Sequence, residues 1–559
     1  MVLALIGTAW AEEGVETVAV PMRDGVRLAT DIYRSGTAPK GPVVLMRTPY
    51  NKAGQKGIGR RWAAEGFTFV VQDCRGTFAS EGAFAPYNNE GQDGYDTLEW
   101  IVAQPWCNGR VGMTGGSYVG AVQWQAAVEG APGLAAIIPE ATWTSFYRNL
   151  YLGGAVRLKL IAGWMKGNSP QPEGVKPADL DPAMRRLPLS EVDAGIGWEM
   201  PWLDAFLMHP RPDGFWTRFE LKPRLPELTL PALHIVGYYD FFSRESVDGF
   251  LVMQRQARDP ETRRQQRLIL GPWDHGTIGK SKVAAVDFGP AAAPDLFAER
   301  RDWFRRHLDQ DPAAGAKPFA AVRYFSMGDN VWHDADTWPP AGVTDTAFFL
   351  HSRAGANGRD GDGRLSREQP AESRADDTFQ ADPADPAPSS PVTEKRPIQA
   401  GDWGPVNQSA GVDRPDILVF TSEPLAAPLS FAGNPRVELR VSADTPDADW
   451  AVKLIDVRPD GFAQVLARGI IRGRYRDSLL EPSLLEPGKV YAVTVDLGPV
   501  AATLAAGHRL RVDVSGADYP LFDRNPNTAA GIFGTDAAVA TQKVHHGPEG
   551  WSRLVLPVK

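Results

Sequence analysis

The fold of this chain is decided by residues 110–120, which read RVGMTGGSYVG. An apolar strand runs into two glycines and Ser117, and a helix-forming segment begins at Tyr118. The pattern matches the nucleophile elbow G-x-S-x-G, except that the second motif glycine, Gly120, comes one residue late. Because glycines lack side chains, the turn can close sharply and the serine hydroxyl can project from the carboxyl edge of a sheet. The alternative interpretation is a glycine-rich turn with an incidental serine.

Outward from this turn, strand and helix signals alternate over residues 14–145 and again over 231–317. Apolar strands that alternate with helices form a mostly parallel sheet covered on both faces. Between these blocks, residues 146–230 hold short helical pieces rich in aromatic residues and methionine, which predicts an inserted helical cap. Residues 318–559 show short strands between glycine and proline turns, which predicts a β-sandwich of the jelly-roll kind. The predicted class is α/β: an α/β-hydrolase fold with a helical cap and a C-terminal β-sandwich.

The composition is that of a globular, acidic protein. Of the 559 residues, 43% are hydrophobic and 23% are charged, so global disorder is excluded. Asp and Glu number 68 against 59 Lys and Arg, a net charge of −9, which argues against a nucleic-acid partner. No run of about 20 apolar residues occurs, so no membrane-spanning helix is expected. The oligomeric state stays open, with a homo-oligomer among the alternatives.

The first residues allow two interpretations. An apolar run over residues 2–8 is followed by Ala9-Trp10-Ala11, which has the small-x-small form of a signal-peptidase site, but a basic segment before it is missing. Residues 1–13 are therefore either a signal-peptide remnant or a frayed terminus or first strand. The protein is expected to be exported, to the periplasm or beyond, in the first case and cytoplasmic in the second.

Two cysteines occur, Cys74 and Cys107, which excludes a disulfide scaffold and a multi-cysteine metal site. Cys74 follows one predicted strand and Cys107 precedes another, so they belong at opposite edges of the sheet. Five or six residues at about 3.3 Å each separate them by roughly 15–20 Å, whereas a disulfide needs Cα atoms within about 7 Å. We predict two free thiols. A cysteine nucleophile is the weaker catalytic alternative, because neither cysteine lies in a motif.

A serine nucleophile needs a base and a carboxylate. Of nine histidines, only His275 comes directly after a buried strand, in a loop at the carboxyl edge where Ser117 is expected. Asp240 follows the preceding strand in the same position, whereas Asp274 is adjacent to His275 and poorly placed to face it. The order Ser117…Asp240…His275 is the one expected for an α/β-hydrolase. The alternatives are a solvated loop histidine and a carboxylate that caps the next helix.

Two groups could stabilise an oxyanion. The backbone N–H of Tyr118 lies at the start of the helix after the elbow. The loop after the first parallel strand, residues 47–52, contains Tyr50, whose phenol O–H is a plausible second donor. From the residues alone, Tyr50 is at least as well interpreted as a packing residue.

Five ordered segments together resemble the cocaine-esterase (CocE/NonD) family, which is related to X-Pro dipeptidyl-peptidases, α-amino acid ester hydrolases and glutaryl acylases. The segments are RTPYNK at 47–52, QDCRGTFASEG at 72–82, GMTGGSYVG at 112–120, GYYD at 237–240 and GPWDHG at 271–276. The resemblance covers about 14–559, because the family also has a helical cap and a C-terminal jelly roll. The family elbow reads G-x-S-Y-x-G, so the late glycine is no departure.

The resemblance implies site residues. The family triad falls on Ser117, Asp240 and His275, and the family's tyrosine oxyanion donor falls on Tyr50. An aromatic residue after the triad aspartate lines the acyl site in the family, and here Phe242 is the better match of the pair Phe241 and Phe242. Trp164 resembles a cap tryptophan with the same role, and the equal alternative is a residue of the cap core.

The expected function is hydrolysis of carboxylic esters of apolar or aromatic acyl groups through an acyl-enzyme, with no cofactor and no metal. Amino-ester hydrolases place acids after the triad aspartate, whereas this chain has two phenylalanines there, which favours uncharged acyl groups. The alternatives are an amide-cleaving acylase or an X-Pro dipeptidyl-peptidase, for which Glu245 and Asp248 are the nearest candidate anchors of an amino terminus. A non-catalytic carbohydrate-binding protein is the distant third. The expected partner is a small-molecule ester or amide substrate.

Overall fold

The structure is a computed structural model that describes residues 15–34, 40–309, 320–353, 355–370, 376–391, 404–547 and 550–559. Residues 1–13, interpreted above as a signal-peptide remnant or a frayed terminus, lie outside the described residues.

A ten-stranded sheet organises the first part of the chain. From one edge to the other its strands are Val15–Pro21, Arg27–Tyr33, Thr68–Asp73, Gly41–Thr48, Cys107–Gly116, Leu134–Glu140, Leu233–Gly237, Arg267–Gly271, Val322–Ser326 and Val331–Ala335. The seven strands from Thr68–Asp73 to Val322–Ser326 are mutually parallel, and antiparallel strands complete both edges. The carboxyl ends of the parallel strands therefore meet at one edge, as the βα pattern predicts.

Helices cover both faces of this sheet, and two of its parallel strands are buried along their whole length. Every residue of Thr68–Asp73 and of Leu233–Gly237 is buried, which is typical of parallel strands between helical layers. The covering helices are Lys56–Ala64, Glu90–Val102, Tyr118–Val128, Ser243–Gln256, Pro260–Arg264 and Leu296–Leu308.

The segment between the strands Leu134–Glu140 and Leu233–Gly237 is a helical cap, as predicted. Its helices are short and are Phe146–Leu150, Leu158–Asn168, Leu180–Met184, Val192–Ile196 and Pro201–Met208, with a small ribbon of Tyr151–Leu152 and Ala155–Val156. The cap holds together through aromatic packing, since Phe206 stacks on Trp216 with ring centroids 5.7 Å apart and meets Phe146 edge-on at 5.1 Å.

The C-terminal part is rich in strands, as predicted. Thirteen strands form one hydrogen-bonded network, and they are Thr344–His351, Arg364–Ser366, Asp377–Ala381, Ile417–Thr421, Leu429–Gly433, Arg436–Ala443, Asp449–Val457, Ala463–Arg472, Tyr491–Asp496, Val500–Leu504, Arg509–Ser515, Ala540–Val544 and Arg553–Val558. The network branches where Arg436–Ala443 pairs with Tyr491–Asp496 on one side and with two successive strands on the other.

The predicted boundary at residue 318 differs from the observed sheet. Val322–Ser326 pairs in parallel with Arg267–Gly271, and Val331–Ala335 pairs with it in turn, so both strands extend the α/β sheet rather than the C-terminal network. A short apolar strand has the same local pattern in either setting, and only its non-local hydrogen-bond partner separates the two.

Cys74 and Cys107 are both free, as predicted, and both are buried. Within the described ranges, no helix is long and apolar enough to cross a bilayer. The same ranges contain no group of three or more His, Cys, Asp and Glu side chains that could hold a metal ion.

Candidate active site

Ser117 occupies a strained turn between a strand that ends at Gly116 and a helix that begins at Tyr118. Its φ of 63° is in the left-handed region that non-glycine residues rarely adopt. A Cβ on Gly115, whose φ is 124°, would lie 2.3 Å from Cγ1 of Val119. The strained turn therefore depends on a glycine two residues before the serine, as the elbow pattern requires.

The helix after the elbow approaches the neighbouring strand closely. A Cβ on Gly120 would lie 2.8 Å from the side chain of Thr142 and 3.0 Å from the carbonyl of Glu140. The backbone N–H of Ser117 donates to that same Glu140 carbonyl at 3.0 Å. The absence of a side chain at position 120 thus allows the helix to pack closely against the sheet.

Asp240 and His275 meet at the carboxyl edge, each in the loop after its strand. Oδ2 of Asp240 lies 2.9 Å from Nδ1 of His275, and Oδ1 accepts the backbone N–H of Phe242 at 2.8 Å. The Asp240 side chain is fully buried, whereas that of His275 is 30% exposed. Since an ionised carboxylate only accepts, the neutral imidazole carries its proton on Nδ1 and leaves Nε2 as the basic nitrogen.

The electrostatics of His275 reflect two opposed effects. Burial lowers the pKa of the imidazole, while the charge and hydrogen bond of Asp240 raise it, with a smaller contribution from Asp274. The net pKa lies above the usual value for histidine. The carboxylate therefore stabilises the imidazolium form.

Asp274 is engaged in its own loop and does not hydrogen-bond His275. Its Oδ1 accepts from the N–H of Gly276 at 2.9 Å and from the hydroxyl of Thr277 at 2.8 Å. Of the two aspartates weighed from the sequence, Asp240 is the one that the structure brings to the imidazole.

Tyr50 reaches the serine from the loop after the strand Gly41–Thr48. Its phenol oxygen accepts from the indole N–H of Trp164 at 3.0 Å and also hydrogen-bonds the side chain of Ser117. Burial raises the pKa of the phenol, and these two hydrogen bonds offset part of that rise. A neutral phenol whose oxygen already accepts from Trp164 can direct its proton to a third group.

The side chain of Tyr118 is fixed below the elbow. Its hydroxyl donates to Oε1 of Glu90 at 2.8 Å, and its ring stacks on Tyr87 with centroids 4.2 Å apart. Glu90 forms a buried ion pair with Arg47 at 2.8 Å. As the first residue of its helix, Tyr118 has a backbone N–H without an intrahelical acceptor.

Six of the eight predicted site residues line one cavity of about 620 Å³, a size suited to a small ligand, whereas Asp240 and Tyr118 lie behind its wall-forming residues. The cavity is lined by Tyr50, Tyr87, Ser117, Phe146, Asn149, Leu150, Lys159, Leu160, Ile161, Gly163, Trp164, Phe241, Phe242, His275 and Gly276. The rings of Phe241 and Phe242 lie 4.4 and 5.5 Å from the imidazole of His275. Trp164 is both a wall of this cavity and part of an aromatic stack, because its ring is parallel to that of Tyr118 at 5.8 Å.

The two acids considered as amino-terminal anchors lie elsewhere. Glu245 is buried, pairs with Lys222 at 2.9 Å and accepts the N–H of Ser145 at 2.8 Å. Asp248 pairs with the same lysine at 3.0 Å. Glu245 is thus engaged in a buried ion pair, and neither acid lines the cavity.

Sequence reasoning missed several cavity residues, notably Tyr87, Asn149 and Lys159, and the supporting pair Arg47 and Glu90. Arg47 had a signal, since it opens the RTPYNK segment. The others lie in segments with no recognisable motif, and only packing brings them to the cavity.

The parallel sheet, the serine at its elbow and the histidine–aspartate pair beside it define an α/β-hydrolase. The chain matches the X-Pro dipeptidyl-peptidase (S15) family over residues 24–277 and the X-Pro dipeptidyl-peptidase C-terminal non-catalytic domain over 314–555. It is 37% identical to cocaine esterase of Rhodococcus sp. (strain MB1 Bresler) over 97% of this chain and 98% of that protein. The chain therefore belongs to the cocaine-esterase family of serine hydrolases.

Two solved structures are similar over almost the whole chain. An aminopeptidase from a marine sediment Thaumarchaeota archaeon has a TM-score of 0.87 at 27% identity, covering 100% of this chain and 99% of that one. An α-amino acid ester hydrolase has a TM-score of 0.85 at 27% identity, covering 98% and 96%.

Proposed function

We propose that the protein is a serine esterase that hydrolyses carboxylic esters of apolar or aromatic acyl groups. The observation that carries the proposal is the cavity itself: Ser117 and His275 line it, its walls are mostly aliphatic and aromatic, and no described residue that lines it is a carboxylate. A pocket of this kind favours a neutral apolar group close to the reacting serine.

In the proposed reaction, Ser117 Oγ attacks the ester carbonyl carbon while Nε2 of His275 takes its proton. Asp240 holds the imidazole in the required tautomer and stabilises the imidazolium. His275 then returns the proton to the departing alcohol, which leaves an acyl-enzyme on Ser117. Water, deprotonated by the same histidine, releases the acid.

The oxyanion formed at each step is assigned to two donors, the Tyr50 hydroxyl and the Tyr118 backbone N–H. The geometry around Tyr50 supports its role, because Trp164 donates to the phenol oxygen and leaves the phenol proton available. In this scheme Trp164 positions the Tyr50 hydroxyl, and its ring also forms part of the cavity wall.

The relatives raise an alternative, since an aminopeptidase and an α-amino acid ester hydrolase are named for substrates with an amino group. An ammonium buried against Phe241 and Phe242 without a carboxylate would incur a large desolvation cost. The two acids considered as amino-terminal anchors, Glu245 and Asp248, are already paired with Lys222. This contrast favours esters of uncharged acyl groups over X-Pro peptides.

The test compares kcat/KM for p-nitrophenyl butyrate and benzoate with that for Gly-Pro and Ala-Pro p-nitroanilides. The proposal expects ester turnover at least 100-fold above anilide turnover. Dominant X-Pro-anilide cleavage would instead establish the dipeptidyl-peptidase alternative.

A fluorophosphonate probe separates an enzyme from a non-catalytic binding protein. Labelling is expected in the wild type and lost in Ser117→Ala. A wild-type protein that neither reacts with the probe nor turns over esters would contradict the assignment of Ser117 and leave the carbohydrate-binding alternative.

A further inference from the structure

We infer that Asn149 is a specificity-determining residue whose side-chain amide, oriented by the buried Arg157, donates a hydrogen bond to a second acceptor oxygen in the acyl group of the substrate. The inference rests on the proposed function and narrows its substrate class. It predicts that the cavity prefers esters whose acyl group carries a keto, ether or further ester oxygen a few bonds from the scissile carbonyl. Esters of plain hydrocarbon acids are expected to be poorer substrates.

The orientation of the Asn149 amide is fixed by chemistry. Nη1 of Arg157 donates to Oδ1 of Asn149 at 2.9 Å and to its backbone carbonyl at 2.7 Å. A guanidinium can only donate, so the atom it meets must be the amide oxygen and not the nitrogen. The NH₂ group of Asn149 therefore points away from Arg157.

The NH₂ group is left with the cavity as its surroundings. Asn149 is only 2% exposed and lies in the cavity wall. Within the described ranges, no group accepts a hydrogen bond from Nδ2 of Asn149. Nδ2 is also absent from the fully buried polar atoms that lack a partner, so part of its surface is accessible. The small accessible part of this residue thus carries a donor into an otherwise largely apolar space.

Arg157 is built to hold this amide still. It is 4% exposed, and among the described residues no carboxylate lies within ion-pair distance of it. The same Nη1 also donates to the carbonyl of Phe241 at 2.6 Å, so one of its two protons is shared between two of the three acceptors. This contact ties the amide to the loop that carries Asp240. Burial, together with repulsion from Arg244, lowers the pKa of Arg157 to about 9, so it is still charged at neutral pH.

Burying a cation among neutral acceptors costs desolvation free energy, which its hydrogen bonds to those acceptors must offset. Here Arg157 holds a rigid hydrogen-bond donor on the cavity wall. An ammonium group of a substrate would instead require an acceptor such as a carboxylate there. The Asn149 donor favours an electron-rich oxygen in the bound acyl group.

The test uses matched substrates, p-nitrophenyl 4-oxopentanoate and 4-methylpentanoate, and the homologous pair 5-oxohexanoate and 5-methylhexanoate. Each pair differs by a carbonyl oxygen in place of a methyl group. Rates are divided by those of alkaline hydrolysis to remove intrinsic reactivity. A satisfied buried donor predicts a corrected kcat/KM preference of roughly 10-fold for the oxo ester of at least one pair.

Two variants isolate the amide. Asn149→Asp keeps an oxygen for Arg157 but presents an acceptor to the cavity, so the oxo preference is expected to disappear or reverse. Asn149→Leu removes the donor, and the corrected kcat/KM values of the oxo and methyl esters are expected to become equal. Unchanged melting temperatures and fluorophosphonate labelling show that each variant is folded.

Calorimetry of the same esters with Ser117→Ala reads binding without turnover, which separates this inference from the proposed function. Ester turnover with no oxo preference in either pair, or a preference that survives both Asn149 variants, would overturn the role of Asn149 and leave the esterase proposal intact. An oxo preference in binding without turnover in the wild type would refute the esterase proposal alone.

Discussion

Replacing Asp240 with asparagine tests whether a single carboxylate fixes the basic nitrogen of His275. One carboxylate oxygen accepts the N–H of Phe242 and the other accepts Nδ1–H of His275. Asparagine has only one oxygen. If that oxygen keeps the backbone N–H, the NH₂ group faces the imidazole and can donate only to an unprotonated Nδ1.

The substitution therefore moves the imidazole proton to Nε2, the position that must accept a proton from Ser117. Shape and volume hardly change, so substrate binding is retained. The expected loss is about 10⁴-fold in kcat with little change in KM, equivalent to about 5.4 kcal/mol of transition-state stabilisation.

The assay is the pH dependence of p-nitrophenyl ester hydrolysis. In the wild type, Asp240 raises the pKa of His275, so kcat/KM is expected to fall on the acid side at a pH above the usual histidine value. In Asp240→Asn that stabilisation of the imidazolium is gone, and the acid limb of the residual activity is expected to shift to lower pH.

Asp274→Asn is the matched control, because Asp274 is next to His275 but binds its own loop. It is expected to lose less than about 10-fold. A loss below 10-fold in Asp240→Asn, or an equal loss in both variants, would refute the orientation of His275 by Asp240.

Three further outcomes are expected. Tyr50→Phe removes one oxyanion donor and is expected to lower kcat by about 10²–10³ with little change in KM; an unchanged kcat would remove Tyr50 from the site. Gly115→Ala places a Cβ 2.3 Å from Val119 at a positive φ. A thermal melt is expected to show a loss of about 1–3 kcal/mol in the free energy of unfolding, and an unchanged Tm would contradict strain at the elbow. Burial raises the pKa of both Cys74 and Cys107, so an aromatic disulfide reagent is expected to react with neither thiol in the native protein and with both in denaturant; rapid native reaction would contradict their burial.

The hydrolase sheet could be predicted from the sequence because its signals are local. Strands rich in buried apolar residues alternate with helices, and this alternation places every strand's carboxyl end at one edge. Ser117, Asp240 and His275 each follow such a strand directly, so their meeting at that edge required no knowledge of the loops.

Other features were outside the reach of local patterns. The strand Val322–Ser326 reads like any short sandwich strand, and only its pairing with Arg267–Gly271 places it in the α/β sheet. Glu245 occupies a helix position typical of a surface charge, yet the approach of Lys222 buries it as an ion pair.

By itself, the sequence determined the order of the elements, the sharp turn at Ser117 and the three chemical groups after the strands, since each depends on residue type and near neighbours. The tertiary structure alone decided the walls of the cavity. Asn149 and Arg157 are eight residues apart in the cap, and Arg157 binds both the Asn149 amide and the Phe241 carbonyl only because the cap packs on the loop after Asp240. Such contacts depend on packing between distant segments, which no local pattern of residues encodes.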